Sequence, residues 1–367
     1  MQTSTEPDHE RRTRGWTGWR NRLLSSPAFQ RWAAAFPLTR PVARYHARDL
    51  FDLTAGFVYS QIAYALVRSE LLEALRTSTL SAAEAAQRAS LPLDGAVRLL
   101  RAAGALGLTQ EGPGGWTLGA RGAALAGSPG VVEMIAHHRL LYQDLADPLA
   151  LLRGERESQL AGLWAYGADH EAAAAYSGLM AASQPMVAAQ ALAAYRFGRH
   201  DALLDVGGGE GAFVEAIAAS APRLRLGLFD LPAVVAGAET RLSKLAGRTR
   251  FHSGDFRRDQ LPGGYDLISL VRVLHDHDDE PAAALLRGIY EALPAGGTLL
   301  LVEPMANMRG AERVGHAYFG MYLLAMGSGR PRSPAEIGAM TRQAGFRSSK
   351  LLRNPLPLAA RVIVARK

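Results

Sequence analysis

A histidine, a cluster of glycines and several spaced carboxylates are the residues of this chain best suited to chemistry. His275 follows the apolar run 265–271, which reads as a buried strand. A histidine just past a strand end can take a proton from a substrate hydroxyl, because imidazole titrates near neutrality. Glu303 closes a later apolar run, 298–302, and can hold that imidazole in one tautomer.

The acids and glycines upstream suggest what would be bound beside the histidine. Asp205, Gly207, Gly208, Gly209, Glu210 and Gly211 sit between an apolar run and a helical pattern, and the next strand ends at Asp230-Leu231. Glycines let such a turn tighten and approach a ligand, while the distal acid can accept hydrogen bonds from both hydroxyls of a ribose. Asp205 and Glu210 would repel a pyrophosphate, yet an acid here can hold an ammonium group. The combination favours S-adenosylmethionine (SAM), a cationic cofactor with no phosphate, over a dinucleotide. Asp255-Phe256, after a third strand, offers a carboxylate for the adenine amino group and a ring to pack on the base. Arg272 reaches the same edge. The candidate cofactor contacts are thus Asp205, Gly207, Gly208, Gly209, Asp230, Leu231, Asp255, Phe256 and Arg272. With a sulfonium donor, a protein must mainly align oxygen, carbon and sulfur and remove one proton.

The acid- and histidine-rich run 274–281 is expected to be partly structural. Asp278 or Asp279 suits the cap of the following helix, and Pro281 its first turn. No metal site is expected there, since adjacent residues on one loop converge poorly on one ion. The chain has no cysteine, which excludes disulfides and thiolate chemistry.

These residues need an α/β scaffold. Alternating strands and helices from about 199 to 367 predict a Rossmann-like class I methyltransferase domain, with a seven-stranded sheet closed by a terminal hairpin. Residues 51–128 read as three helices and a β-wing, a winged-helix module; Ser81 and Glu84 form a capping box there. Its third helix is mostly Ala and Leu, which favours dimerisation over DNA binding, so nucleic acid is not an expected partner. Residues 129–198 form an alanine-rich helical segment suited to roofing an apolar pocket. Tyr176 and Met180 are its candidate lining residues, with Met326 from the C-terminal part.

Net charge is +7, and residues 1–50 hold nine Arg against four Asp and Glu. This basic arm, with residues 1 to about 15 expected to be disordered, interleaves Trp16, Trp19 and Trp32 with arginines, a composition that suits a partner subunit or a lipid headgroup region. A helical stretch starts at Pro41 and ends at Leu53, and another starts near Phe57. No transmembrane helix and no signal peptide are expected, and the expected location is cytoplasmic, with possible contact at a membrane surface.

The series Asp205-Val206-Gly207-Gly208-Gly209, Phe229-Asp230-Leu231-Pro232, Gly254-Asp255-Phe256, His275-Asp276 and Tyr290-Glu291-Ala292-Leu293-Pro294 resembles the small-molecule O-methyltransferases over roughly residues 55–367. That family includes the plant caffeate, hydroxyindole and bacterial polyketide enzymes. The resemblance implies a homodimer made by the N-terminal domain and SAM as donor. It implies cofactor contacts at Gly208, Asp230, Asp255 and Phe256, His275 as catalytic base, and Glu303 orienting it. Two positions depart from plant members: the lysine near Val271 and the second acid near Pro331 are absent, and Arg272 can replace some cofactor contacts. Runs 29–33, 36–44, 50–53, 56–61 and 322–332 resemble a narrower branch, the demethylspheroidene O-methyltransferases of carotenoid synthesis in purple photosynthetic bacteria. That implies a tertiary hydroxyl on a long polyene as acceptor. The residues leave other readings open: methylation of a bacteriochlorophyllide ring carbon, of a phenolic or polyketide hydroxyl, or a SAM-binding or DNA-binding regulator without turnover.

Overall fold

The computed structural model of the protein describes residues 8–164, 170–356, 358 and 360–367. Helices α1 (Asp8–Leu24), α2 (Pro27–Ala35) and α3 (Arg40–Arg68) lead the chain. Residues 8–15 are therefore helical, contrary to the expected disorder. The break expected between Leu53 and Phe57 is also absent, for α3 runs 29 residues without interruption. Gly56 lies in its interior with open space around it, so no neighbour forces a kink.

Helices α4 (Leu71–Thr77), α5 (Ala82–Arg88) and α6 (Leu93–Ala105) precede an antiparallel hairpin of β1 (Thr109–Gly112) and β2 (Gly115–Leu118). The capping box forms as its spacing predicts: Glu84 N donates to Ser81 Oγ at 3.2 Å, and Ser81 N to Glu84 Oε2 at 2.7 Å. Leu66 of α3, Leu71, Leu75, Leu100 and Trp116 form a separate small core. Next come α7 (Ala120–Ala126), α8 (Pro129–Asp144), α9 (Pro148–Leu152), α10 (Gln159–Trp164) and α11 (His170–Ala194).

The remaining chain builds a seven-stranded sheet. Its strands are β3 (Ala202–Val206), β4 (Arg225–Asp230), β5 (Thr249–Ser253), β6 (Leu267–Val271), β7 (Thr298–Glu303), β8 (Ser348–Leu352) and β9 (Arg361–Arg366). They lie in the order β5-β4-β3-β6-β7-β9-β8, parallel except for β9, which is antiparallel to both β7 and β8. Five more helices intervene: α12 (Ala212–Ser220), α13 (Pro232–Arg241), α14 (Asp279–Ala292), α15 (Gly320–Met326) and α16 (Pro334–Gln343), the first of this last pair preceded by a π-helical turn at Arg313–Phe319.

Consecutive strand residues face opposite ways, so each strand feeds two cores. Leu203, Leu226, Leu267 and Leu300 pack under α11 and α12; Leu204, Ile268, Leu299 and Leu301 pack under α14 and α16. A sheet covered on both faces needs continuous apolar strands, which explains the unbroken runs in the sequence. Leu301→Ala should cost about 2–5 kcal/mol in denaturant unfolding, because its side chain is fully buried in the central part of the sheet. Strand order reverses between β3 and β6. Ligands of such sheets sit past the carboxyl ends of the strands at that reversal.

Candidate active site

Just past β3, Gly207, Gly209 and Gly211 adopt positive φ of 68°, 55° and 82°, where other residues are strained. Gly208 needs its small size for a different reason: a Cβ there would sit 2.9 Å from Leu228 Cγ. The loop is pinned to the next strand, with Gly207 N donating to Phe229 O at 2.8 Å. Asp230 closes the cradle. Its Oδ2 accepts from Gly209 N at 2.8 Å and its Oδ1 from Leu231 N at 2.7 Å, which leaves lone pairs on both oxygens for a pair of hydroxyls. Burial raises the Asp230 pKa, and those two amides oppose the rise.

A cavity of about 520 Å³ opens over this cradle. Gly207, Gly208, Gly209, Asp230, Leu231, Asp255, Phe256, Arg272 and Met180 all line it. Asp205, Met326, His275 and Glu303 are not among the lining residues. Asp205 lies beneath the loop, 1% exposed, with Ser269 Oγ donating to its Oδ1 at 2.6 Å. Met326 packs with Leu141, Leu151 and Leu160 in a separate apolar cluster. Tyr176 has its side chain outside the described residues. Lining residues not among the sequence candidates include Gln184 of α11 and Ser328; Asp276, His277 and Asp278 join them from the acid- and histidine-rich run.

Two arginines line the cavity, each tied to neighbouring protein groups. The Arg257 guanidinium holds the Asp255 carboxylate, with Nε–Oδ1 and Nη2–Oδ2 both at 2.9 Å, and this keeps the Asp255 pKa below the ordinary carboxylate value. Arg272, at φ 56°, donates to Ser183 Oγ at 2.6 Å, to Met180 O at 2.9 Å and to Gln184 Oε1. It fastens the end of β6 to α11 while remaining part of the cavity lining. Glu210, Asp230, Asp276 and Asp278 add carboxylates to the lining. The field suits a cation and disfavours a phosphate.

His275 lies on the short 3₁₀ turn Leu274–Asp276 after β6 and is buried. It is not among the lining residues, although Asp276 is. Its Nε2 lies 3.1 Å from Asp276 Oδ1. Its Nδ1 lies 3.8 Å from Glu303 Oε2, an ion-pair distance beyond hydrogen-bond reach. Glu303 Oε1 accepts from Leu274 N at 2.6 Å, which fixes that carboxylate under the turn. Phe319 meets the imidazole edge to face at 5.9 Å. Burial pulls the His275 pKa down, but the Asp276 and Glu303 carboxylates outweigh it and the net shift is upward; Arg272 opposes them. Burial also raises Asp276, to about 6.

The helix after the turn is held differently from expectation. Asp278 occupies the N-cap position of α14, yet its side chain makes no capping bond. It accepts from Gly329 N at 3.0 Å instead, while Asp279 binds Arg330 and Arg332. Among the described residues, no group of three or more His, Asp or Glu is arranged to hold a metal ion.

Burial lifts the Asp205 pKa to about 7, against the Ser269 hydrogen bond and with help from the Asp230 charge. The folded chain then keeps a proton that the unfolded chain releases near the ordinary value of 3.8. Stability from this group is complete below that value and is lost as pH rises toward 7. Asp205→Asn should flatten the decline in thermal midpoint across that window, as measured by scanning calorimetry without ligand.

A protein-family comparison matches residues 142–347 to the O-methyltransferase domain. The chain is 41% identical over 353 residues to the demethylspheroidene O-methyltransferase of Cereibacter sphaeroides, covering 94% of this chain and 93% of that protein. It is likewise 41% identical to the enzyme of that name from Rhodobacter capsulatus, over 90% of this chain and 85% of the relative. Among solved structures, human N-acetylserotonin methyltransferase in complex with SAM superposes with a TM-score of 0.71 at 26% identity, covering 88% of this chain and 97% of that one.

Proposed function

The chain belongs to the O-methyltransferase family, and from that premise we propose that it transfers the methyl group of SAM to the tertiary hydroxyl of an acyclic hydroxycarotenoid. The observation that carries the acceptor is the 41% identity, over nearly the whole chain, to two demethylspheroidene O-methyltransferases. The donor is supported by the cavity itself. Asp230 keeps lone pairs for two ribose hydroxyls, the four carboxylates suit a cation, and both lining arginines are engaged elsewhere.

SAM supplies an electrophilic methyl on a sulfonium that leaves without help. The residues of the chain do the rest. Asp230 and the glycine loop would hold the ribose, and Phe256 and Asp255, which line the same cavity, would face the adenine. Asp205, bound to Ser269, supports the glycine loop from beneath. His275 takes the hydroxyl proton as the oxygen attacks, and the imidazolium so formed is stabilised by Asp276 and Glu303. A tertiary alcohol is a weak acid and a crowded nucleophile, so alignment and exclusion of water weigh heavily. Met180, on the α11 wall of the cavity, would receive the polyene. Incubation with labelled SAM and hydroxylated acyclic carotenoids, beside phenolic and chlorin acceptors, tests the reading; label only in the phenol or the chlorin would overturn it.

The proposed organisation is a basic arm at 1–50, a winged-helix dimerisation unit at 51–128, a helical pocket segment at 129–198 and the catalytic unit at 199–367. A second copy of the chain would cover the exposed side of α3, where Tyr45, Leu53 and Phe57 are at least two-thirds exposed. By length and composition α3 could also cross a membrane, but Ile62, Ala63, Leu66 and Val67 at its C-terminal end pack into the N-terminal core. A cytoplasmic enzyme peripheral to the photosynthetic membrane fits better. Trp16, Trp19 and Trp32 stand exposed on an arm rich in arginine, a composition suited to anionic headgroups. Liposome flotation should recover the intact chain with anionic vesicles and lose it on removal of residues 1–50; equal recovery would remove the arm from this role.

A further inference from the structure

Four consecutive carbonyls of the turn bearing His275 accept hydrogen bonds from one short stretch more than 50 positions later in the chain. Arg332 Nη1 donates to Leu274 O at 2.8 Å, and Arg330 N to His275 O at 2.9 Å. Ser328 Oγ donates to Asp276 O at 2.8 Å, and Arg332 Nη2 to His277 O at 2.8 Å. Gly329, at φ 81°, lies flat on the same turn; a Cβ there would fall 2.2 Å from His275 O. Arg332 itself is 1% exposed, and its Nε and Nη2 also reach Asp279 Oδ1, at 3.0 and 2.7 Å.

A short turn past a strand end has no ladder to satisfy its carbonyls, so their partners decide where the turn sits. A buried guanidinium is costly unless its donors are used. Here they are spent on backbone atoms on both sides of the imidazole. Glu303 cannot fix the ring alone, because its nearer oxygen is beyond hydrogen-bond distance of Nδ1. We propose that residues 328–332 form a strap that positions the base, with Arg332 as its central positioning residue. Arg332 does not line the cavity and acts through the backbone from which His275 projects. This also accounts for orientation of the base in a chain that carries Pro331 where the resemblance calls for a second acid. The proposal rests on His275 being the general base.

Its test uses the full chain with Arg332→Met, Arg332→Lys, Ser328→Ala and His275→Ala, assayed with labelled SAM and a hydroxylated acyclic carotenoid. Histidine imidazole titrations are followed in parallel by NMR, with His275→Ala identifying the His275 signal. The groups facing that ring are Asp276, Glu303 and Arg272, together with the apolar Phe319. Arg332→Met should lower kcat by about 10²-fold, the scale of a 1 Å misplacement, leave the SAM Kd within about threefold, and move the His275 titration. Arg332→Lys, which keeps the charge and part of the donor set, should recover part of kcat and return the titration toward the parent. An unmoved titration with kcat within twofold of the parent overturns the strap. If Arg332→Met fails to fold, the same readings on Arg332→Lys and Ser328→Ala decide, each expected to lower kcat about tenfold and to move the titration. Full turnover in His275→Ala would overturn the base instead, while a moved His275 titration in the Arg332 variants would still support the strap.

Discussion

His275→Ala should lower kcat by about 10²–10⁴-fold, the usual contribution of a positioned general base, and leave the SAM Kd nearly unchanged. The imidazole is buried beside Asp276, which does line the cavity, so its loss should leave the lining that faces the cofactor in place. The pH profile of the parent enzyme carries the same claim. The base acts only when neutral, and Asp276 and Glu303 outweigh burial to raise its pKa above 6.5. The acid limb of kcat should therefore fall as pH drops through a value higher than that of free imidazole. A limb below 6.5, or an alanine variant at parental rate, would remove His275 from the reaction.

Asp230→Ala should weaken SAM binding by about 10²–10⁴-fold by calorimetry, if two hydrogen bonds to a charged group are lost at about 1.5–3 kcal/mol each. The same substitution strips the partner from Gly209 N and Leu231 N, so the cradle loses its shape as well as its charge. Unfolding midpoints should move far less, because Asp230 sits at the open end of β4. An unchanged Kd with a folded protein would exclude this cavity as the donor site.

The sheet was legible because its central strands β3, β6 and β7 are largely apolar on both faces, with a glycine turn after β3 and a terminal acid on β7. The glycine turn closed by Asp230 was legible as well, because three of its positions take positive φ, which few residues other than glycine tolerate. What escaped the sequence depends on contacts between distant segments. Nothing local marks Gln184 or Ser328 as lining residues, since each reaches the cavity only through the packing of α11 or of the loop after α15. Asp278 has the residue type and position of a helix cap, yet the Gly329 amide captures its carboxylate from another part of the chain. Arg272 was legible in place and not in purpose, because its three partners on α11 lie 88 or more positions away. In α3, the suggested break gave way to helix: one interior glycine costs only about 1 kcal/mol, and nothing crowds Gly56.

That same fastening of Arg272 to α11 bears on how spent donor leaves. Met180, Ala181 and Gln184 form one wall of the cavity, and Arg272 anchors this wall to the end of β6. The wall cannot swing outward unless several strong bonds to a guanidinium break together, each worth about 1.5–3 kcal/mol. Exchange of product for fresh donor should then proceed past the side formed by Arg257, which is exposed. The rate at which S-adenosylhomocysteine departs becomes a property of that mouth, insensitive to motions of the long helix behind it.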